Sequence, residues 1–385
     1  MSLQRFENQP LSPRPRIVVL GAAKLGNYVV LQPLLRGLHE KYPGLELTYV
    51  GSRRTAELEQ RNPWLHACLP LAERGAAAQD ALRQCRADGP IDLVINADGH
   101  APHTPGWVEA LAPRYVVGAA AIPAGHHPMQ RLAADPHWAR PDLERRYAGW
   151  ITGNSIRELH CRVAWVDTDF ERVELPMEAP PPDLPAVLIA VNGERPAKLW
   201  PLSHWLSLLA LMEQELGLSP QQIGLIGGPP PRQISLPGDL LEQALLAALP
   251  LRDLRGHLSL PQLVGALARS RLCIAVDAGP LHLAAAAGCP TVALFGTDPE
   301  GIGASPQGLW APRSPTVWIP SSVSRCTLCH DEHYRNASCL RSEHLCMADL
   351  TPTAVWPLLE EAWSSSRNGT PGTAEADGPS RGEKS

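Results

Sequence analysis

The chain alternates short, β-branched apolar runs with longer helical segments, and this alternation most constrains its fold. In the first half the runs are RIVVL at 16–20, LELTYVG at 45–51 and IDLVINAD at 91–98, with a helix expected around 27–41. Buried strands separated by helices are typical of a parallel sheet that is covered on both faces. The pattern therefore predicts an α/β protein.

The alternation restarts after EAPPPDLPA (178–186), where four of nine residues are proline and a stiff linker is expected. We predict further strands at 186–192, 222–228, 272–279 and 291–296, and helices at 204–216, 259–270 and 280–288. Ser259 is expected to cap its helix. The sequence thus predicts two Rossmann-like, doubly wound domains facing a cleft, at 15–177 and 187–350.

The two ends and the overall charge set further limits. Residues 1–14 and 366–385 are polar and expected to be disordered, with a final helix at 351–365. The formal charge of −5 over 385 residues argues against nucleic acid as the main partner. We expect neither a secretory leader nor a transmembrane segment, and hence a cytoplasmic protein.

Two segments place glycine or lysine where a predicted strand ends. GAAKLGN, with Gly21 and Gly26, follows the first strand, and it is either a ligand-binding loop or a tight turn without a ligand. Lys198 in VNGERPAKLWP follows the strand at 186–192. A lysine there either binds a phosphate as a point charge or lies solvated on the surface.

The segment AVDAGPLHLAAAAG (275–288) predicts a strand that ends at Asp277 and runs into a helix. Pro280 suits the first turn of that helix, so the amides of Ala278, Gly279 and Leu281 would point at an anion. The alternative is a plain capped helix without a ligand. His282, one turn in, is expected to be a packing residue.

Two more segments are candidates for binding. FGTDPEGIGASPQG (295–308) offers Thr297 and Asp298 for hydroxyl or phosphate contacts. Four cysteines within 21 residues, the first two spaced as CxxC, could bind metal, remain reduced thiols or form disulfides, and the sequence leaves these three open. They are Cys326, Cys329, Cys339 and Cys346.

Four of these segments, in this order, resemble glycosyltransferase family 9, the ADP-heptose:lipopolysaccharide heptosyltransferases. They are RIVVLGAAKLGNYVVLQPLLRGLHEKYPGLELTYV, PAKLWPLSHW, VDAGPLHLAAAAGCPTVALFG and the cysteine segment CTLC…C…CMADLTPTAVWPLL. The resemblance extends from about residue 16 to 362. It implies a GT-B fold, with the acceptor bound by the N-terminal half and a nucleotide sugar by the C-terminal half.

The resemblance also implies an inverting transfer that needs no cofactor or metal, with ADP-heptose as the default donor. Lys198 would hold the departing phosphate, and the amides after Asp277 would cradle the diphosphate. Asp277 would bind hydroxyls of the donor sugar, with Gly26 and Thr297 as further donor-binding candidates. The acceptor would be a glycan or glycolipid of the cell envelope, which is compatible with peripheral contact with the inner membrane.

The sequence departs from the family pattern at two places. The family turn normally reads Gly–Asp, and that aspartate is the proposed general base, whereas this chain has Asn27. An amide cannot accept a proton at neutral pH, and a general base contributes about 10²–10⁴ in rate. Asp98, followed by His100 and His103, is the best substitute, although each also fits an ordinary loop residue.

The second departure concerns the donor nucleotide. The loop after GLIGG reads PPPRQ, where relatives usually carry acidic residues that reach the ribose. The sequence therefore predicts a heptosyltransferase-like enzyme. The alternative is a catalytically silent homologue that binds a nucleotide sugar.

Overall fold

The computed structural model describes residues 3–21, 24–71, 76–99, 101–118, 126–140, 142–230, 238–336 and 338–368. Two parallel six-stranded sheets organise it, which confirms the predicted α/β class. The first contains β1 (Gln4–Arg5), β2 (Arg16–Leu20), β3 (Glu46–Gly51), β4 (Ala67–Pro70), β5 (Leu93–Asn96) and β6 (Tyr115–Gly118). The second contains β7 (Val187–Ala190), β8 (Ile223–Leu225), β9 (Arg252–Asp253), β10 (Leu272–Val276), β11 (Thr291–Leu294) and β12 (Val317–Trp318).

Both sheets are wound in the same way, except that the short edge strand β1 precedes the central strand of the first sheet in the chain. Their strand orders are β1-β6-β5-β2-β3-β4 and β12-β11-β10-β7-β8-β9. In each sheet the chain first moves to one side of a central strand and then returns to add strands on its other side. This change of direction falls between β2 and β5 in the first sheet and between β7 and β10 in the second. Open α/β sheets bind ligands at such points, outside the carboxyl ends of the strands.

Helices cover both faces of each sheet. Those of the first lobe are α1 (Leu25–Val30), α2 (Gln32–Lys41), α3 (Ala56–Glu59), α4 (Ala76–Ala87), α5 (Thr104–Leu111), α6 (Pro128–Ala134), α7 (Leu143–Arg146) and α8 (Ile156–Val163). Those of the second are α9 (Leu202–Leu216), α10 (Asp239–Ala248), α11 (Leu260–Arg269), α12 (Gly279–Ala286), α13 (Gln307–Trp310), α14 (Leu328–Asp331), α15 (Leu345–Ala348) and α16 (Pro352–Asn368). Short 3₁₀ turns occupy Pro196–Lys198 and Pro220–Gln222.

The strands alternate between two apolar cores. In β2, Ile17 and Val19 face one cluster, whereas Val18 and Leu20 face another. β10 behaves likewise, because Cys273 and Ala275 face one cluster, whereas Leu272, Ile274 and Val276 face another. One cluster includes residues of both lobes, so the apolar core is continuous across the boundary between them.

The predicted disorder of residues 1–14 is wrong for the segment around Phe6. Gln4 and Arg5 form a strand that pairs with β6, and the side chain of Phe6 is fully buried. Its ring lies 6.1 Å from that of Tyr115. One aromatic residue therefore fixes a segment whose composition is otherwise polar.

Two predicted helices have different bounds in the structure. The segment expected to form one helix over 27–41 is divided at Leu31, which ends α1 and precedes α2. Pro33 lies in the first turn of α2, where the missing N–H costs no helical hydrogen bond.

At the C-terminal end, α16 continues to Asn368, and the Ser366 hydroxyl donates to the Trp363 carbonyl oxygen at 2.6 Å. The predicted disordered tail is therefore wrong for 366–368, and its remainder, 369–385, lies outside the described residues.

The predicted cap of α11 is confirmed, because the Ser259 hydroxyl accepts from the Gln262 amide at 3.2 Å. Within the described ranges, no helix combines the length and the apolarity needed to cross a bilayer.

Gly265 allows α11 to contact the proline-rich segment directly. A Cβ on Gly265 would lie 1.9 Å from the backbone oxygen of Glu178, so one of the two segments would have to shift. We expect Gly265→Ala to lower the free energy of unfolding by about 1–3 kcal/mol, measured by urea denaturation. Gly308→Ala is the matched control, because a Cβ there meets no atom within 4 Å. Equal stability of the two variants would contradict this packing.

Candidate active site

The predicted site residues follow the strands that flank the two points where the winding reverses. Asn27 follows β2 and Asp98 follows its neighbour β5. In the second sheet, Lys198 follows β7 and Asp277 follows β10. Because each pair comes from adjacent parallel strands, each pair lies at the carboxyl edge of its own sheet.

Lys198 and Asp277 form an ion pair at the edge of the second sheet. The Lys198 Nζ lies 2.6 Å from the Asp277 Oδ2 and 3.4 Å from the Asp277 carbonyl oxygen. The Asp277 side chain is 5% exposed and that of Lys198 is 20% exposed. Burial alone would raise the pKa of the Asp277 carboxyl, but the Lys198 ammonium holds that pKa below its ordinary value. The carboxylate is therefore ionised and fixes the ammonium.

The amino end of α12 begins directly after Asp277. Ala278 is extended and Gly279 is the first helical residue, so their amides belong to the end of the helix that has no acceptors within it. The expectation for Leu281 is wrong, because its amide donates to the Ala278 carbonyl at 3.1 Å. The anion site predicted here therefore rests on Ala278 and Gly279, next to the ammonium of Lys198.

The helices α1 and α12 from the two lobes touch at this point. A Cβ on Gly26 would lie 3.1 Å from the His282 Cδ2, and one on Gly279 would lie 2.9 Å from the Leu25 Cβ. The two glycines thus permit an approach that any larger residue would widen. Gly26 brings its neighbour Asn27 to the boundary between the lobes. Gly26 itself contacts His282, so Gly26 acts here as a packing residue.

His282 is buried behind this contact, as expected. Its side chain is 2% exposed, and its Nδ1 has no hydrogen-bond partner within the described part of the chain. Burial lowers the pKa of His282 to about 4, although the Asp277 carboxylate opposes that shift. The imidazole is therefore neutral at pH 7.

A cavity of about 230 Å³ lies between the lobes and is lined by Asp98, the candidate base, and by Asn27, which stands at the family's base position. Asn27 and Asp98 line it from the first lobe, and Trp310 lines it from α13 of the second. Trp138 and His160 complete the wall, with their rings edge-to-face at 5.5 Å. Burial lowers the pKa of His160 to about 4, so this side chain is also neutral at pH 7.

Asp98 is held in place within this cavity. Its Oδ2 lies 3.0 Å from the Nε2 of His103, and its amide donates to the Asn96 Oδ1 at 3.1 Å. The His103 ring packs on Trp107 with 4.1 Å between centroids. His100, the other predicted companion, lies outside the described residues.

Other predicted positions do not join the site. The hydroxyl of Thr297 is buried and donates a hydrogen bond to the Gln307 side chain. Thr297 therefore does not present this hydroxyl to the sugar donor. Asp298 is also buried and accepts the amides of its own turn. The segment PPPRQ lies partly outside the described residues, which leave out 231–237.

Three aromatic side chains of the cavity wall were missed by the sequence analysis: Trp138, His160 and Trp310. None belongs to a recognisable motif, and they come from separate segments that meet only in the folded chain. The abundance of tryptophan in a chain poor in other aromatic residues was the available signal.

All nine cysteines are free thiols. Burial raises the pKa of Cys346 to about 12, and the nearby thiols of Cys326 and Cys329 add to this shift. The Cys329 sulfur accepts the side-chain amide of Asn336 at 3.2 Å. Among the described residues, no three histidine, cysteine or acidic side chains form a group that could hold a metal ion.

Comparisons with known proteins support the same interpretation. The model of glycosyltransferase family 9 (heptosyltransferase) matches residues 164–334. Lipopolysaccharide heptosyltransferase 1 of Pseudomonas aeruginosa is 25% identical over 373 residues, which are 90% of this chain and 97% of the relative.

Two solved structures share the architecture. A glycosyl transferase family 9 protein from Veillonella parvula has a TM-score of 0.66 at 18% identity, over 93% of this chain and 99% of that chain. The ADP-heptose lipopolysaccharide heptosyltransferase II of E. coli has a TM-score of 0.60 at 19% identity, over 91% of this chain and 99% of that chain.

The two six-stranded parallel sheets and these structural neighbours show the GT-B fold. The family model and the full-length relative make the chain similar to glycosyltransferase family 9, the heptosyltransferases, which is the resemblance that the sequence predicted.

The burial of His282 predicts a pH dependence of stability. Between its folded pKa of about 4 and its ordinary value of 6.5, the unfolded chain binds a proton that the folded chain does not. Stability therefore falls as the pH falls from 7 to 5, by about 2 kcal/mol from this group. We expect His282→Gln to reduce that loss by the same amount in urea denaturation at both pH values.

His66→Gln, at an exposed position, provides the control and is expected to keep the wild-type loss. An equal loss in wild type and His282→Gln would show that the imidazole titrates freely in the folded protein.

Proposed function

We propose that the protein is an inverting, metal-independent glycosyltransferase. It moves heptose from ADP-heptose to a hydroxyl of the lipopolysaccharide core or of another envelope glycan. The supporting observation is the Lys198–Asp277 pair beside the amino end of α12, across the boundary from Asn27 and Asp98. The named relatives act on ADP-heptose or lipopolysaccharide, which favours the same substrates here.

The donor diphosphate would lie against the amides of Ala278 and Gly279, where the helix end favours an anion. Lys198, paired with Asp277 directly before that end, would stabilise the negative charge on the departing phosphate. Such preplaced donors act most strongly where charge develops in the transition state. Asp277 keeps the ammonium in position and would also contact hydroxyls of the donor sugar.

The acceptor hydroxyl needs a base, and Asn27 cannot serve as one. We assign the role to Asp98, whose carboxylate lines the same cavity and is oriented by His103. The acceptor oxygen forms a bond to the anomeric carbon while the bond from that carbon to the phosphate oxygen breaks. Asp98 takes the hydroxyl proton, and ADP leaves with the bonding electrons. Attack opposite the leaving group inverts the anomeric carbon.

Resemblance to envelope-glycan enzymes favours action in the cytoplasm at the inner membrane, with a glycolipid as the acceptor. No cofactor is required for the transfer as written. A second candidate is a silent homologue that binds a nucleotide sugar without transferring it. Asn27 favours this candidate, since the family base would stand at that position.

Replacing Lys198 tests the donor site. Lys198→Ala should lower heptose transfer from ADP-heptose by about 100-fold or more and abolish the thermal shift that ADP-heptose gives. It should also cost about 3 kcal/mol of stability, because the buried Asp277 loses its partner.

A panel of ADP-, UDP- and GDP-sugars in the same thermal-shift assay identifies the donor.

A double variant separates these two effects. Lys198→Met with Asp277→Asn removes both charges and should recover much of the stability without recovering transfer. Normal transfer in either variant would show that Lys198 is a structural residue.

Asp98 and Asn27 decide between the two candidate functions. If Asp98 is the base, wild type transfers heptose and Asp98→Asn lowers kcat by about 10²–10⁴. Asp92→Asn is the matched control, since Asp92 precedes the same strand at its far end and bonds Ser12 and Arg16. It should change kcat little. Wild type without transfer, together with an active Asn27→Asp variant, would favour the silent homologue.

A further inference from the structure

The turn that carries Lys198, together with the residues that follow it, is hydrogen-bonded to the cysteine-rich segment, residues 326–350. The His344 Nε2 donates to the Ala197 carbonyl at 2.7 Å, and the Trp200 indole donates to the Leu350 carbonyl at 2.7 Å. The His204 Nε2 donates to the Ala348 carbonyl, also at 2.7 Å. The backbone around Lys198 is therefore fixed by hydrogen bonds to a segment more than 120 residues further along the chain.

Arg195 makes the largest set of these contacts. Its Nε donates to the Asn336 carbonyl at 3.0 Å, and its Nη2 donates to the Asn336 Oδ1 at 3.1 Å. The same Nη2 lies 3.7 Å from the Cys329 sulfur, and the Nη1 donates to the Ala304 carbonyl at 3.3 Å. The guanidinium thus joins the cysteine-rich segment to the loop that follows β11.

The backbone of Arg195 connects this anchor to Lys198. Arg195 precedes the 3₁₀ turn Pro196–Lys198, and its carbonyl accepts the Lys198 amide at 2.9 Å. Lysine has a flexible stem with several rotatable bonds, so an ammonium is placed reproducibly only if its backbone is fixed as well. Asp277 fixes one end of the side chain, and the turn fixes the other.

We propose that Arg195 is a positioning residue for Lys198. It holds the 195–198 turn against the cysteine-rich segment and so keeps the ammonium where the donor phosphate binds. Glu194 has a separate task, because it pairs with Lys24 and Arg54 of the first lobe. The inference rests on the proposed role of Lys198, and it gives the cysteine-rich segment a function that requires no metal.

Binding of ADP, measured by calorimetry, tests this coupling without an acceptor. Arg195→Ala should weaken ADP binding about tenfold, and Arg195→Lys, which keeps the charge but loses the planar fork, should weaken it less. Adding Arg195→Ala to Lys198→Ala should cause no further loss, since the arginine acts through the lysine. Hydrogen exchange of the 195–200 amides should accelerate in Arg195→Ala and in the double variant.

The control is Arg252→Ala. Arg252 also joins distant segments, through Asp183, but strand register aligns it with Gly224, Leu188 and Cys273, at the amino end of the sheet. It should leave both ADP binding and exchange at 195–200 unchanged.

Three outcomes would overturn one idea or the other. If the losses from Arg195→Ala and Lys198→Ala multiply in the double variant, Arg195 does not act through Lys198. Unchanged exchange at 195–200 in Arg195→Ala would likewise refute the positioning role, whether or not ADP binds. If Lys198→Ala binds ADP like wild type, or wild type does not bind it, the proposed donor site fails and the exchange result still decides the role of Arg195.

Discussion

The ion pair between Lys198 and Asp277 is the interaction on which the site depends. The two residues are 79 positions apart and meet because β7 and β10 are hydrogen-bonded neighbours. A pair this buried contributes little net stability, since the desolvation of both charges offsets their attraction. Its value therefore lies in placement: it fixes an ammonium beside the first amides of α12, and both groups favour an anion at the same point.

The contact between α1 and α12 brings the first lobe next to the proposed anion site. Glycine at 26 and 279 lets the two helices touch, and the apolar cluster continues from one lobe into the other. Asn27, directly after Gly26, thereby lies at the cavity that Trp310 closes from the second lobe. The same close packing buries His282, which explains why its pKa is low.

Much of this arrangement could be predicted from the sequence. Strand-to-helix turns after β-branched runs placed Lys198 and Asp277 at one sheet edge, because parallel strands end on the same side. Contacts that depend on tertiary structure could not be predicted in this way. The use of the Leu281 amide within its own turn, the burial of Thr297 and the docking of Phe6 all arise from local geometry or from distant partners. Arg195 bonds residues 141 and 134 positions away, and no spacing in the sequence indicates that.

Asn27 is the feature that most challenges catalysis, because it replaces the aspartate expected to be the general base. The order of the strands suggests how a carboxylate at another position could take that role. β2 and β5 are adjacent, with Leu20 opposite Asn96, so their carboxyl ends open into one cavity. Asn27, beyond the end of β2, and Asp98, just after β5, both line that cavity. A carboxylate after β5 can therefore reach the space that a carboxylate after β2 would occupy, without any change to the donor site. The His103 Nε2 lies 3.0 Å from the Asp98 Oδ2, a contact that would orient the carboxylate in its proposed role as the base.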